Sequence, residues 1–462
     1  MQLSDLVSIS LSITNPPNLQ TGFATGLITG FSNRLGSGIP VAILSGITSA
    51  ANGLSQLAGL GYLTTDPEYL AATSYLSALP TPTSMAVGKR NAKVAQVATI
   101  TVNTATNAHV YTASLYGQTA TYTATVPSDT TTTIAAALVT ALEALTAPIY
   151  QTTTIANTGA VITITAVTAG IDIAVSTSDS LMTAAIGTPA VGYLSDMKTI
   201  MQYNLGPTNG NNFVLFSSTG ETDVDIYVAN TIATVYSKFH IAKSSESGCL
   251  NGTDTLYNAI GALGSPTGTM MNYFGASNGI ATYADAGLMG GFVTQNPGSY
   301  SANLKTIPGT TPDGSLTEVQ IAALKAANIN FYTTVGTQPF FINGRAADGN
   351  GVDIYYGLYA FQLQVQTQVV TAMAALPKFP FTDQGITIIV DAINQIAALF
   401  SGPSYNFFSP DPVTGLPYQI FAPTAASFSA LQRQTGALTG IKFNGRLAGD
   451  VLSVSITGQV HY

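Results

Sequence analysis

Val7-Ser8-Ile9-Ser10-Leu11-Ser12-Ile13-Thr14 alternates an apolar and a small polar residue at every step. Period two belongs to a strand with one buried and one wet face, because successive side chains of an extended chain point to opposite sides. The other end of the chain repeats the pattern in Leu452-Ser453-Val454-Ser455-Ile456-Thr457. Chain ends fray unless something holds them, so two strand-grade ends predict two paired ends. Val7, Ile9, Leu11 and Ile13, with Leu452, Val454 and Ile456, are the side chains expected to make that contact.

The chain has 462 residues, too many for one core, and about two to four domains are expected. Asp, Glu, Lys and Arg make up only 8% of it, against about a quarter in a typical globular protein. With 22 Tyr and 19 Phe this is not the composition of a disordered chain. The surface is therefore largely neutral and polar. A hydroxyl or amide that finds a partner costs less to desolvate than a charge, so such a surface suits extensive protein–protein contact. Biased amino-acid usage in the source lineage would leave the same mark.

A net charge of −8 with 14 Lys and Arg argues against nucleic acid, whose affinity rests on neutralising phosphates. The single cysteine, Cys249, excludes an internal disulfide framework and a cysteine-based zinc cluster. The opening MQLSDLV has no basic n-region and no apolar h-region, so no secretory signal is expected. The most apolar segments, Ile134–Leu145 and Ile386–Phe400, are short and interrupted by Glu143 and Asp391. Neither is expected to span a bilayer, and a soluble protein made in a cytoplasm is the expectation.

Beyond Asn15-Pro16-Pro17-Asn18, an extended or turn element, residues 22–90 read as alternating strands and helices. Gly22–Gly30, Ile39–Leu44 and Met85–Val87 are strands, and Asp66-Pro67-Glu68 opens a helix that Pro80 ends. Residues 94–195 change texture to Thr, Ala and Val. Ala98–Val102, His109–Tyr116, Thr119–Val126, Ala160–Ala166 and Ile171–Val175 are expected strands there, with Thr130–Leu145 a helix. This β-rich unit sits between two stretches of α/β texture and reads as an insertion, which enters at an exposed loop. The α/β pattern resumes with a helix over Val191–Tyr203, a strand over Phe213–Ser217 and helices over Asp223–Phe239 and Thr255–Leu263. A Gly-rich passage runs from Gly287. Ser315 through Glu318 form a capping box for a helix to Ala327, and Ile329–Val335 is a strand. Helices over Phe361–Leu376 and from Thr382-Asp383 onward follow, then Pro-rich turns, a strand at Ile441–Phe443 and the final arm.

Catalytic constellations are not found. His109, His240 and His461 lie in three separate segments with no second ligand at metal spacing. Glu221, Asp223 and Asp225 either serve the orphan amides of a helix start or bind a divalent cation, without an EF-hand loop behind them. Asp348-Gly349-Asn350-Gly351-Val352-Asp353 is calcium-like at first sight, lacks an acid at the twelfth position, and reads as a tight turn. No Gly-x-Ser-x-Gly elbow and no Walker loop occurs. Cys249 has no His beside it in sequence. No cofactor is expected, and an enzyme is the weaker class of reading.

Several stretches together resemble the sheath protein of contractile phage tails and related contractile injection systems. Asp5–Leu11 followed by Gly22-Phe23 looks like that family's N-terminal arm. Tyr69–Arg90 resembles its helix, Pro-x-Pro turn and strand. Ala284–Gly290 with Pro297-Gly298-Ser299 and Asn303–Gly309, then Ala327–Tyr332, Phe379–Gly385 and Ile441–Gly458, follow in the family's order. The resemblance covers most of 1–90 and 196–462 and rests on the order of the motifs, none of which is specific alone.

The resemblance implies an α+β and α/β multidomain fold. Residues 1–25 and 315–462 would form an inner α+β domain with extended N- and C-terminal β arms, 26–93 and 196–314 an α/β middle domain, and 94–195 an inserted β-rich outer domain. It implies a structural subunit, not an enzyme, stacked as hexameric rings around an inner tail tube. Baseplate and tail terminator proteins would be further partners, in a virion tail assembled in the host cytoplasm, with neither nucleic acid nor membrane insertion involved. Contraction would drive the tube through the host envelope for genome delivery. Arg433, Lys442 and Arg446, near the C-terminal arm, then either face the tube or a neighbour or are solvated surface charges. A tail tube or baseplate scaffold and a virion-borne adhesin are the alternatives. Tube subunits are usually shorter and lack the α/β section, and the Thr-rich insertion is what suggests an adhesin.

Overall fold

The computed structural model describes residues 23–125, 128–203, 213–263, 268–275 and 283–449. The two alternating arms, with Val7, Ile9, Leu11, Ile13, Leu452, Val454 and Ile456, lie outside the described residues. The chain is mixed α/β and divides into two compact units. One holds described residues of 23–88, 213–219 and 230–449, and the other those of 89–203 and 220–229.

The first unit is built on an eight-stranded sheet. Its order is Gln338–Ile342, Asn330–Val335, Thr269–Tyr273, Phe239–Ser244, Leu215–Ser218, Thr25–Gly30, Ser84–Lys89 and Val41–Ser45. The run from Thr25–Gly30 to Asn330–Val335 is parallel, and the outermost strand pair on each side is antiparallel. Four of the parallel strands are buried at every residue. A strand covered on both faces shows no alternation, which is why Phe239–Ser244 and Thr269–Tyr273 carry no period-two signal. The helix from Asp223 accordingly stops at Tyr236, not Phe239, where Ser237 takes φ 50° and the chain turns into a strand.

The Gly-rich passage is a helix, Ala284–Val293, buried along nearly its whole length. Its glycines let it lie against the helix Pro67–Leu76. A Cβ on Gly290 would meet the Tyr75 carbonyl oxygen at 2.2 Å, and one on Gly287 would meet Ile307 at 3.0 Å. Gly26 on the central strand is also tight, with the Tyr75 ring 2.7 Å and the Met289 sulfur 2.9 Å from where a Cβ would stand. Glycine is therefore a packing residue here and not a loop former. Lys243 and Asp285 form a buried ion pair at 2.9 Å beside this helix, with the Lys243 ammonium 4.4 Å from the Tyr283 ring centroid. The next helix, Glu318–Ala326, is capped by Thr317 with Gln320 and not by Ser315, because Asp313 already accepts the Ser315 amide and hydroxyl.

The second unit has a four-stranded antiparallel sheet in the order Met182–Thr188, Val97–Val102, Val161–Ala166, Thr153–Thr158. A three-stranded antiparallel sheet, Gln118–Thr123, Val110–Leu115 and Val175–Thr177, and the helix Thr131–Glu143 enclose its core of Ile100, Val102, Tyr111, Leu138, Ile162 and Ile164. The hairpin after Leu115 turns through Tyr116 and Gly117 with φ 57° and 75°, the positive pair that a two-residue type I′ turn demands. Residues 171–174 are not a strand. The Gln96 side chain brackets Ile173, donating to its carbonyl at 2.7 Å and accepting its amide at 2.9 Å, so that backbone is satisfied without a neighbouring strand. Asp225 pairs with buried Arg90 at 3.0 Å and with Lys93 at 2.8 Å, and accepts the Thr222 amide. Burial alone would raise this carboxyl, but the Arg90 charge and the Lys93 hydrogen bond outweigh it and hold it below its ordinary value. The Glu221–Asp225 cluster thus contributes an ion pair and a helix start.

Candidate assembly surface

Two helices carry the C-terminal part of the chain. Val352–Ala374 begins well ahead of the expected Phe361, directly after the Asp348–Gly351 turn. In that turn Asp348 accepts the Asn350 amide and the Tyr355 hydroxyl, and Gly349 takes φ 86°. The carboxylate is thereby spent on the helix entry. Asp383–Ser401 starts at Thr382, whose side chain accepts the Gly385 amide. At 19 residues it is longer than the apolar stretch Ile386–Phe400 and, by length and composition, apolar enough to cross a membrane. Its Ile389, Ala392, Ile393, Ala397 and Phe400 instead pack with Ala360, Phe361, Val365 and Val369 of the other helix. Its exposed side carries Thr387, Asp391, Asn394 and Gln395.

On this helix pair lies a two-stranded antiparallel sheet, Tyr418–Phe421 with Lys442–Gly445. Alternation decides its faces. Tyr418, Ile420 and Phe443 point inward, with the Phe443 ring 5.0 Å from Phe361, 5.5 Å from Phe408 and 5.8 Å from Tyr418. Phe421, Lys442 and Asn444 point outward, and Phe421 is 54% exposed. Beyond the sheet, residues 446–448 pair with 407–409 through Ser409 N to Arg446 O and Ala448 N to Phe407 O, both 2.9 Å. Among the described residues no third strand joins the Tyr418–Phe421 sheet.

Of the basic residues, Lys442 and Arg446 stand at alternate positions on one exposed face, with the neutral Asn444 between them. Arg446 donates through Nη1 to the Pro410 carbonyl at 3.0 Å. Asp411 accepts the Thr414 and Val413 amides and faces Arg446, which together hold its carboxyl below the ordinary value. Arg433 stands apart on the short helix Ala430–Thr435, which buries none of its residues. Six residues cannot sustain a helix by propensity alone.

A relation that the sequence hides links Phe23 and Leu447. Phe23, the first described residue, packs against the same hydrophobic cluster as Leu447 and Phe443, a cluster that includes Phe361 and Phe408. Its ring is 5.2 Å from Tyr356 of the long helix, and the Tyr356 hydroxyl donates to its carbonyl. Burial pushes the Tyr356 phenol well above its ordinary value, so it remains a donor. Nothing in local sequence pattern relates residues 23 and 447; each packs against the cluster that the two helices and Phe407-Phe408 build.

The remaining sites from sequence carry no joint chemistry. His109 Nε2 lies 2.8 Å from Asp179, His240 stacks on Phe216 inside the large sheet, and His461 lies outside the described residues. Buried Cys249 lies 3.5 Å from Asp254, and burial foremost raises its thiol. Among the described residues no group of three His, Cys, Asp or Glu could hold a metal ion.

No protein-family model and no curated protein matches the chain. Solved structures do. The sheath complex of an extracellular contractile injection system, PVC, in its contracted state aligns over 98% of this chain and 97% of its own, with TM-score 0.51 and 9% identity. A sheath tail protein of Desulfitobacterium hafniense aligns over 90% and 93%, with TM-score 0.42 and 11% identity. The chain has the fold of a contractile sheath protein.

Proposed function

We propose that the chain is the structural subunit of a contractile tail sheath. It polymerises as stacked hexameric rings around an inner tail tube and contracts to drive the tube through a host envelope during genome delivery. The observation that carries this reading is that Phe23, Leu447 and the two-stranded sheet all pack against one hydrophobic cluster. Val7–Ile13 and Leu452–Ile456, which flank those two positions in the sequence, have the alternation of added strands. Strand addition supplies main-chain hydrogen bonds together with alternate side-chain pockets. A head-to-tail contact that does not close builds a helical array. Subunits linked by such arms move as rigid bodies while the links persist.

In this reading residues 1–25 and 315–462 are the inner portion. They hand Asn330–Val335 and Gln338–Ile342 to the sheet of the middle portion, 26–93 and 196–314, and 94–195 is the outer decoration. Arg433, Lys442 and Arg446 face the tube or a neighbouring subunit. Baseplate and terminator proteins cap the array, which assembles in the host cytoplasm and resides in the virion tail. The test is deletion of residues 1–14 in a chain that forms striated tubes by negative-stain microscopy. The truncated protein should keep its circular dichroism and melting transition yet remain unpolymerised; tubes from it would sink the strand-link reading.

A further inference from the structure

The second unit exposes an edge that proteins ordinarily protect. Thr183–Thr188, the last six residues of the strand Met182–Thr188, are all exposed, and this strand is one edge of the four-stranded sheet. Ala184 and Ile186 pair with buried Ile100 and Ala98, so they lie on the core side of the sheet, yet Ile186 is 59% exposed. The core layer stops short of this strand, and an apolar step is left beside it. The other edge, Thr153–Thr158, has Ile155 half-buried on the same core side. Neither strand contains a charge or a proline. Unpaired strand edges template pairing with another chain, and natural proteins blunt them with Lys, Pro or bulges. The single device present is a bulge at the far end, between Ile186 and Thr188.

We propose that these two edges join neighbouring copies of the chain. Met182–Thr188 of one subunit pairs with Thr153–Thr158 of the next, so that the four-stranded sheets continue from copy to copy. The proposal deepens the sheath reading by naming a second contact between subunits, and it rests on that reading for the nature of the partner. Three observations select a second copy. The strands alternate in direction across the sheet, so its two edges run oppositely and a head-to-tail junction is antiparallel. Both edges are neutral, so identical copies do not repel. A register that sets Ala185 beside the partner subunit's Ala156 also matches the faces. Ile186 then meets the partner's Ile155 over the core, and Thr183 meets the partner's Thr158 on the face of Thr99, Thr101, Thr163 and Thr165. Each copy then repeats the same cross-strand rows, and the contact is heterologous, as a ring or helix requires.

The test uses the full chain with Ala156→Cys, Ala185→Cys and both together, oxidised mildly under assembly conditions and resolved on non-reducing gels. Directly opposed antiparallel residues lie within disulfide reach, both positions are exposed, and native Cys249 is buried. The double variant should give a ladder of covalent trimers and larger species, the single variants nothing above dimer. Adding Ile186→Lys to the double variant should abolish the ladder. Absence of the ladder, its persistence with Ile186→Lys, or dimer from Ala185→Cys alone as abundant as the double variant's products would overturn the inference. Microscopy of the wild-type chain decides the sheath reading separately, because tubes without a ladder leave that reading intact.

Discussion

Replacing Gly290 by alanine places a methyl carbon 2.2 Å from the Tyr75 carbonyl oxygen and 3.1 Å from the Ala78 Cβ. A relaxed carbon–oxygen contact needs about 3.3 Å, so the helices Ala284–Val293 and Pro67–Leu76 must part by about 1 Å. A gap of that size forfeits about a quarter to a half of each dispersion contact it opens. Overpacking a tight core costs about 1–3 kcal/mol. The obstacle here is backbone, which cannot swing aside, so the upper end applies. Alanine is the better helix former by about 1 kcal/mol, which leaves a net loss of about 2 kcal/mol and a melting shift of roughly 4 °C in a large unit. Gly261→Ala is the matched control, since a Cβ there meets nothing within 4 Å and should leave stability unchanged or slightly raised. Calorimetry of the full chain reads both. A Gly290→Ala variant that melts at or above the wild type, with Gly261→Ala behaving as expected, would refute the close-packing account of this Gly-rich helix.

Asp225→Asn should destabilise the second unit by roughly 3–5 kcal/mol, because Arg90 is buried against that carboxylate; urea titration followed by circular dichroism checks it. The Asp225 carboxyl is held below its ordinary value in the folded chain. Its contribution is therefore fully present above the unfolded carboxylate range and is lost as pH falls through the lowered folded value, and the Asn variant should lose that part of the acid dependence. Reversing Lys442, Arg446 and Arg433 to Glu should leave the melting transition of the isolated chain within about 1 kcal/mol, as for exposed charges, yet impair assembly on tubes seen by microscopy. Unimpaired assembly would return these residues to ordinary surface charges.

Sequence pattern alone determined what local physics controls. The cap at Thr382, the helix start at Pro67, the hairpin turn through Tyr116-Gly117 and the strands Val97–Val102 and Val161–Ala166 follow from residue chemistry within a few positions of each other, whereas the helix expected to run to Pro80 already ends at Leu76. Tertiary structure decided the rest. Strands buried on both faces show no period, so Phe239–Ser244 and Thr269–Tyr273 became visible only within the sheet. The Gly-rich passage from Gly287 to Gly291 carries no helix signal of its own and is seen as a helix only where it packs on Tyr75, and the backbone of Ile173 needs no strand once Gln96 folds over it. The alternation of Val7–Ile13 and Leu452–Ile456 announces strands but names no partner. That Phe23 and Leu447 pack against one hydrophobic cluster, and that Tyr356 donates to the Phe23 carbonyl, depends on contacts that reach more than three hundred residues along the chain, which no local periodicity can encode.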